Sequence, residues 1–228
     1  MGLKKIANGW QRESMANKLR QARLSLLREV IGTSRSPVTI LDVGGQEEFW
    51  KALDLSRMPP MQITLLNRYP LRPQGPSMNS MVGDSRDMSQ IGSRAFDVVF
   101  SNSVLEHVGG LREQKAMARE CLRVGKKHFI QTPNRYFPLE PHFLVPFFQF
   151  FPTQLRAWLH HHFDLGWWRK AKNYYEALEE VESIRLLSCR EFAYLFPQSK
   201  IWREKLFGIT KSFVAHSSTK ESPTCPAP

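Results

Sequence analysis

A short apolar segment that runs into two glycines, residues 36–45 (SPVTILDVGG), limits the folds available to this chain. A run of β-branched and aliphatic residues of this length is typical of a strand buried on both faces of a parallel sheet. The glycines predict a tight turn at its end, and residues 46–55 (QEEFWKALDL) predict a short helix after the turn. Ligands of open α/β sheets bind at the carboxyl ends of the strands, so this turn is the first candidate site.

Strand and helix patterns alternate along the rest of the chain. Apolar periodicity predicts an amphipathic helix over residues 14–31 and another helix over 111–124. Further strands are predicted at 62–67, 80–83, 96–101 and 127–132, and a terminal hairpin at 200–207 and 210–216 around Gly208. This alternation predicts a doubly wound sheet of mostly parallel strands joined by right-handed crossovers.

The length of 228 residues suits one domain of ordinary size, or one domain with a sizeable insertion. We expect an N-terminal amphipathic helix within residues 1–35, a main domain over 36–216 and a disordered tail over 217–228. Residues 135–183 are rich in Phe, Trp and Tyr and predict a helical cap. We expect the cap to form a small helical core, with a hydrophobic substrate pocket or a membrane-facing surface as functional alternatives.

Lys and Arg outnumber Asp and Glu by 32 to 21, which gives a net charge of +11 and favours anionic partners without identifying them. No apolar run approaches the roughly 20 residues that span a bilayer, and the first residues lack the apolar core of a signal peptide. We therefore expect a cytoplasmic protein. Three adjacent histidines at 160–162 would point about 100° apart on a helix, so no metal site is predicted there or elsewhere.

The chemistry of the glycine turn depends on the residues that follow it. Gly44 and Gly45 are not followed by the third glycine of a dinucleotide-binding turn, and Glu47 and Glu48 fall in the first turn of the next helix. These carboxylates suit the helix dipole but would repel a diphosphate. The turn therefore favours a cationic cofactor without phosphate, and S-adenosylmethionine fits that description. A turn that serves packing alone is the alternative.

Four segments carry a family resemblance: ILDVGG at 40–45, VGDSRDM at 82–88, FDVVFSNSVLEHV at 96–108 and ITKSFVAH at 209–216. In this order and spacing they resemble the class I S-adenosylmethionine-dependent methyltransferases, and type 11-like members in particular. The resemblance implies an α/β, Rossmann-like fold: a doubly wound, mostly parallel seven-stranded sheet with a C-terminal antiparallel hairpin strand. The helical, aromatic-rich cap would then be inserted after the fifth strand.

The resemblance also implies where S-adenosylmethionine binds. Asp42 is expected to hold the amino end of the cofactor, and Asp84 to accept a hydrogen bond from the adenine amino group. Asn67 stands where the family usually has an acidic residue for the ribose hydroxyls, which predicts weaker binding because a charge-assisted hydrogen bond is lost. The other expected cofactor contacts are Gly44, Gly45, Gln46, Ser85, Ser101 and Asn102.

Methyl transfer from a sulfonium is an in-line displacement, in which positioning supplies most of the rate. A base is needed only where the acceptor carries a proton of high pKa, and His107 and His142 are the candidate catalytic residues. Alternatively, His107 has only a structural role at the start of a helix, and His142 is a loop residue that faces solvent.

The expected acceptor is a small molecule, hydrophobic or lipid-like, and peripheral membrane contact is a further expectation. A degenerate cofactor-binding module that serves as an interaction partner and an RNA methyltransferase are the alternative functions. Nucleic acid is the less favoured partner, because basic and aromatic residues are mixed in the cap but no RNA-binding module pattern is present.

Overall fold

The computed structural model describes residues 15–217. Seven strands form one sheet in the order β3-β2-β1-β4-β5-β7-β6. Strands β1 to β5 are parallel, whereas β7 runs antiparallel to both β5 and β6. The strands are β1 Val38–Val43, β2 Met61–Asn67, β3 Met78–Val82, β4 Phe96–Asn102, β5 Gly125–Pro133, β6 Lys200–Leu206 and β7 Ile209–His216. The predicted doubly wound, mostly parallel sheet with an antiparallel C-terminal hairpin is confirmed.

Six α-helices accompany the sheet in the described part of the chain. They are α1 Met15–Ile31, α2 Glu47–Lys51, α3 Leu111–Val124, α4 Thr153–His162, α5 Tyr174–Glu182 and α6 Cys189–Leu195, with 3-10 turns at Leu105–His107 and Phe148–Phe150. Helix α2 is shorter than the helix predicted over 46–55, because the chain leaves the helix at Ala52 and turns toward β2. Residues 1–14 of the predicted N-terminal segment and 218–228 of the predicted tail lie outside the described residues.

The sheet carries an apolar core on each of its faces. One core packs α3 and α6 against the sheet through Met117 and Phe192. The other packs α1 against the sheet through Leu27, with Phe129 and the buried Trp50 of α2 in the same cluster. This three-layer arrangement is the one in which buried parallel strands lack an exposed face, and it explains the uninterrupted apolar character of β1.

Helix α1 is held at its end by a distant lysine. The Nζ of Lys127 in β5 donates a hydrogen bond to the carbonyl of Val30 at 2.8 Å, and Gly32 then leaves the helix with φ +76. A cation that satisfies one of the last carbonyls of a helix favours the end of the helix at this point.

The segment between β5 and α6 contains α4 and α5, which pack on each other around a third, separate apolar cluster. Phe143, Phe148, Ala157 and Ala177 are buried members of this cluster. These helices lie within the residues for which the sequence predicts a helical cap. None of the helices in residues 15–217 is long and apolar enough to cross a bilayer.

The topology determines where a ligand site can form. Strand β1 pairs with β2 on one side and with β4 on the other, so the order of strands reverses between β1 and β4. The carboxyl ends of these two strands therefore open into the crevice that such a reversal creates.

Candidate functional site

The glycine turn at the end of β1 leaves almost no room for side chains. Gly44 has φ +75, and a Cβ there would lie 2.6 Å from Cγ2 of Val104. A Cβ on Gly45 would lie 1.8 Å from Oδ2 of Asp42. Both positions therefore require glycine, Gly44 for its backbone conformation and Gly45 for its contact with the carboxylate. The backbone of the turn therefore carries no side chains where it lies beside the buried carboxylate of Asp42.

Asp42 is that acid, and it is 1% exposed at the end of β1. Nε1 of Trp50 donates a hydrogen bond to its Oδ2 at 2.6 Å. Burial raises the pKa of Asp42 to about 7, and the hydrogen bond from Trp50 opposes this rise. A buried carboxylate with one neutral partner is an electrostatic site for a cationic group.

Asn67 at the end of β2 lies next to the same turn. Its Nδ2 donates a hydrogen bond to the carbonyl of Gly45 at 2.8 Å. The side chain therefore holds the glycine turn in place, a role that the sequence does not predict. Contact between Asn67 and ribose hydroxyls stays a prediction.

Asp84, which follows β3, is paired with its near neighbour Arg86. Nε and Nη2 of Arg86 lie 2.9 and 2.6 Å from the two oxygens of the Asp84 carboxylate. The hydrogen bonds from Arg86 hold the pKa of Asp84 below its usual range. The carboxylate predicted to meet the adenine amino group thus already has a charged partner, while Ser85 beside it is half-buried.

The side chains at the end of β4 point into the protein. Ser101 is buried, and its Oγ donates to the carbonyl of Val43 at 3.0 Å. Oδ1 of Asn102 accepts a hydrogen bond from Nη1 of Arg23 in α1 at 2.9 Å. Ser103 follows with φ 56, which turns the chain sharply at the edge of the sheet. The side chains of Ser101 and Asn102 therefore both have hydrogen-bond partners within the protein.

The two glutamates after the glycine turn differ in their surroundings. Glu47 is buried, forms an ion pair with Lys51 at 3.0 Å, and accepts hydrogen bonds from the backbone amides of Gln74 and Gly75. Glu48 and Gln46 are exposed. The expectation that both glutamates repel phosphate is therefore weakened for Glu47, whose charge is already compensated. Of the acids at this turn, Asp42 is the buried one that has no cationic partner among the described residues.

A second cluster forms where the 3-10 turn after β4 meets the segment after β5. Nδ1 of His142 donates to Oε1 of Glu140 at 2.7 Å, and Oε2 of Glu140 accepts from the backbone amides of His142 and Phe143 at 2.8 and 2.6 Å. Burial of the imidazole works against its charged form, but the hydrogen bond and charge of Glu140 and the charge of Glu106 raise the pKa of His142. Glu140 therefore fixes both the tautomer and the orientation of this ring.

Glu106 completes the cluster. It is fully buried; its Oε2 accepts a hydrogen bond from Oγ1 of Thr132 at 2.9 Å, and its Oε1 lies 3.9 Å from Nε2 of His142. Burial raises the pKa of Glu106 to about 7. The ring of His107 lies edge-on to that of His142, with ring centroids 4.8 Å apart.

His107 is the exposed member of this cluster. The pKa of His107 is lowered by desolvation of its ring and by the nearby imidazole of His142. The structure thus brings together the two histidines that the sequence selects separately. Glu106 was missed by sequence reasoning, although a single acid within the apolar run SVLEHV is a signal that marks it.

A cavity of about 250 Å³ opens beyond the ends of β4 and β5. Its walls are mainly apolar and include Phe137, Leu144, Trp167 and Leu206, while its polar lining includes Asn102, Ser103, Gln131 and Asn134. Since Asn102 is the last residue of β4 and Ser103 follows it, the cavity lies next to the crevice predicted to hold the cofactor.

The charged residues that line the cavity are one acid, Glu204, and two basic residues, Arg23 and Lys211. Glu204 of β6 is 1% exposed, forms an ion pair with Arg23 at 2.9 Å, and accepts a hydrogen bond from Oγ of Ser212 at 2.8 Å. Lys211 lines the same cavity, and burial lowers its pKa.

The three adjacent histidines of α4 have separate partners. His160 is buried and hydrogen-bonded to Glu180, His161 lies 3.2 Å from the carbonyl of Ala171, and His162 lies 2.8 Å from the carbonyl of Trp158. Each of the three rings therefore has its own neighbouring polar group.

Comparison with known proteins gives a family match inside this fold. Residues 48–128 match a family model described as a methyltransferase domain. The match runs from α2 into β5 and therefore includes Asn67, Asp84, Glu106 and His107, but begins after the glycine turn.

Two uncharacterized proteins from Mycobacterium tuberculosis, strains CDC 1551 / Oshkosh and ATCC 25618 / H37Rv, are curated relatives that match. Each is 38% identical over 58 residues, which are 25% of this chain. The match spans 20% of the length of each relative, so these proteins are much longer than the region they share with this chain.

Two solved structures have a similar fold. The 1,6-didemethyltoxoflavin-N1-methyltransferase of Burkholderia thailandensis, with 1,6-didemethyltoxoflavin and S-adenosylhomocysteine bound, is 12% identical, with a TM-score of 0.51 over 89% of this chain and 78% of that one. A possible exported protein from Bordetella parapertussis is 11% identical, with a TM-score of 0.55 over 90% of this chain and 68% of that one. At these identities the likeness concerns the fold. Together with the match of residues 48–128 to a methyltransferase domain, it makes the chain similar to class I S-adenosylmethionine-dependent methyltransferases, over part of the chain in sequence and over most of it in fold.

Proposed function

We propose that this protein is an S-adenosylmethionine-dependent methyltransferase whose acceptor is a small molecule with an apolar body. The observation that carries the proposal is the position of the 250 Å³ cavity, which shares Asn102 and Ser103 with the crevice at the end of β4. A donor in the crevice and an acceptor in the cavity would then meet at the edge of the sheet. Mainly apolar walls with a few polar groups are typical of small-molecule pockets.

The residues of the crevice fit this cofactor. The glycine turn has no Cβ to obstruct a ligand, and the Asp42 carboxylate beside it suits the cationic amino end. Asn67 ends β2 and Asp84 lies just after β3, where the ribose and the adenine would lie in a cofactor extended along this edge. Gly44, Gly45, Gln46, Ser85, Ser101 and Asn102 complete the proposed contacts.

When bound, this cofactor supplies a methyl group on a positively charged sulfur, which leaves as a neutral thioether while the acceptor lone pair forms the new bond. The chain's own contribution is to align acceptor and donor and to exclude water. Helix α1 closes the cavity through Arg23, and the apolar wall formed by Phe137, Leu144 and Trp167 keeps the body of the acceptor dry.

His107 and His142 are the proposed catalytic residues for an acceptor that carries a proton. Glu140 holds Nδ1–H of His142, which leaves Nε2 with its lone pair. A carboxylate-oriented imidazole is an established arrangement for proton transfer. Acceptors that are already deprotonated need no such help.

An activity assay tests the proposal. Purified full-length protein is incubated with S-adenosylmethionine carrying a labelled methyl group and with fractionated small-molecule extract. We expect label to appear in an organic-extractable product, and Leu206→Trp, which fills part of the cavity, to reduce this transfer while leaving cofactor affinity unchanged. Cofactor binding without transfer to any fraction would contradict the proposed activity.

The alternative of a cofactor-binding module without activity has one observation in its favour. Asn67, Asp84 and Asn102 already have internal hydrogen-bond partners, so part of the expected contact set is engaged before any ligand binds. Under this alternative, the cofactor binds and no extract fraction accepts a methyl group.

A further inference from the structure

The cluster of Glu106, His107 and His142 has the composition and spacing of a metal site. Each residue offers one ligand atom, and the three atoms lie within 4.8 Å of one another. We propose that this cluster binds a divalent first-row transition-metal ion, such as Zn²⁺ or Co²⁺. Such a site is not evident in the sequence, because His142 is distant from the other two ligands along the chain.

The carboxylate of Glu106 provides the observation that points to a ligand. The residue is fully buried, and its Oε1 has no hydrogen-bond partner among the described residues. A buried polar atom without a partner is costly, and an ion at this position would satisfy it. Oε1 lies 3.9 Å from Nε2 of His142. Two bonds of about 2.0–2.2 Å to one ion separate the ligand atoms by roughly 3 to 4 Å, depending on the angle between them.

Neighbouring side chains orient the proposed ligands. Glu140 accepts a hydrogen bond from Nδ1 of His142 at 2.7 Å, so the lone pair of Nε2 is free to bind the ion. Thr132 donates to Oε2 of Glu106 at 2.9 Å and leaves Oε1 for the ion. A carboxylate behind a metal-binding histidine and a hydrogen bond behind a metal-binding carboxylate are the usual supports of such sites.

The composition of the ligands selects the kind of ion. Imidazole nitrogens suit transition metals such as zinc, iron, copper and nickel, whereas magnesium, calcium and manganese prefer oxygen ligands. Three protein ligands leave at least one coordination position open, as in catalytic rather than structural sites. His107 is exposed, so the cluster can be reached from solvent.

The use of the ion rests on the proposed methyltransferase function, whereas the binding of the ion does not. An acceptor hydroxyl bound at the open position would have its pKa lowered by the cation and would release its proton to water. Nε2 of His142 would then serve as a ligand instead of accepting that proton. The resulting oxygen anion is the stronger nucleophile toward the methyl group.

Direct binding tests the site without reference to activity. Full-length protein is freed of metal with a chelator and titrated with Co²⁺, whose visible absorption reports coordination, and with Zn²⁺ by calorimetry. We expect one strong site per chain, and a reduction of affinity of about 10-fold or more in Glu106→Gln, His107→Ala and His142→Ala. Glu140→Gln is expected to reduce affinity by about 10-fold through loss of orientation.

His162→Ala is the matched control, because His162 is an exposed histidine of α4 away from the cluster. It should retain the affinity of the parent protein, and Mg²⁺ should bind far more weakly than Co²⁺. His107→Ala removes an exposed side chain, so it keeps the test valid if a substitution at buried Glu106 prevents folding. Absence of a strong site in the parent protein, or equal affinity in the parent and in the folded His107→Ala and His142→Ala variants, would overturn the proposal. Metal binding without methyl transfer would reject only the proposed function.

Discussion

Asp42 shows how a single residue links stability to ligand binding. The carboxylate is buried at 1% exposure, and burial raises its pKa to about 7, well above the value of 3.8 for an exposed aspartate. A cation placed beside it would remove most of the cost of burying this charge. The residue is therefore unfavourable for the ligand-free fold and favourable for a cationic cofactor.

This linkage predicts the effect of Asp42→Asn. Because the folded pKa lies above the unfolded pKa, the folded state binds more protons between about pH 4 and pH 7, and the stability of the parent protein falls as the pH rises through this window. A pKa that rises from 3.8 to about 7 on folding corresponds to a loss of stability of about 4 kcal/mol at most. We expect Asp42→Asn to be more stable than the parent at pH 8, similar to it near pH 4, and weaker in cofactor affinity.

Urea unfolding at several pH values measures this effect. Asp54→Asn is the control, because Asp54 is exposed and its pKa is lowered, first by a hydrogen bond from Ser56. Its effect on stability should follow the opposite pH trend. A difference between Asp42→Asn and the parent that does not grow from pH 4 to pH 8 would show that burial does not disfavour the charged form of Asp42.

Gly45 gives a second prediction that concerns a single residue. A Cβ at this position would lie 1.8 Å from the Asp42 carboxylate, which is itself buried. We expect Gly45→Ala to lower the free energy of unfolding by about 2–4 kcal/mol and to abolish cofactor binding, because either the carboxylate or the turn must shift. Thermal unfolding and cofactor titration measure the two effects.

Gly92→Ala is the matched control for this substitution. A Cβ at Gly92 meets no atom within 4 Å, so this variant should be as stable as the parent or slightly more stable. Equal stability of the two alanine variants would mean that the glycine turn is more open than the structure shows.

Helix α1 contacts both the edge strand β6 and the central strand β4. Its Arg23 reaches Glu204 of β6 at 2.9 Å and Asn102 of β4 at 2.9 Å, and so forms one wall of the cavity. Its apolar face packs against the sheet through Leu24 and Leu27. The predicted amphipathic helix thus contributes to the site as well as to the core, which its periodicity alone does not indicate.

Because Arg23 and Glu204 form an ion pair, we expect the effects of substituting each of them on the free energy of unfolding to be non-additive. Arg23→Met leaves a buried carboxylate without its ion-pair partner, which is expected to cost about 3 kcal/mol. Adding Glu204→Gln removes that charge and should restore most of the stability. Lys126→Met is the control, because the Lys126–Asp97 pair is exposed and should contribute less than about 1 kcal/mol. Additive effects in urea unfolding would show that Arg23 and Glu204 do not interact.

For the molecule as a whole, the sequence predicts the strands of the sheet well, because short segments of the sequence are enough to specify them. The apolar run of β1, the glycines after it and the single Gly208 of the terminal hairpin each specify their element without distant contacts. The side-chain network is different. Nothing local in the sequence indicates that Asn67 binds Gly45, or that Glu106 and His142 meet, since tertiary packing decides these contacts.

The aromatic segment after β5 bears on the expected peripheral contact with a membrane. Its two helices enclose a small core around Phe143 and Phe148, yet Trp158, Phe163 and Trp167 remain about half exposed. Exposed aromatic residues beside basic ones are compatible with either an acceptor entrance or contact with a membrane surface. Peripheral membrane contact therefore stays a prediction, as do the domain boundaries.

Calorimetric titration of the full-length protein with S-adenosylmethionine is the decisive test of the proposed cofactor site. We expect one site per chain, no binding of a nicotinamide dinucleotide, and a loss of affinity of about 10-fold or more in Asp84→Ala, because a hydrogen bond to a charged group is lost. His107→Ala should change this affinity much less. Binding of the dinucleotide in place of S-adenosylmethionine, or a larger loss in His107→Ala than in Asp84→Ala, would refute the cofactor site described above.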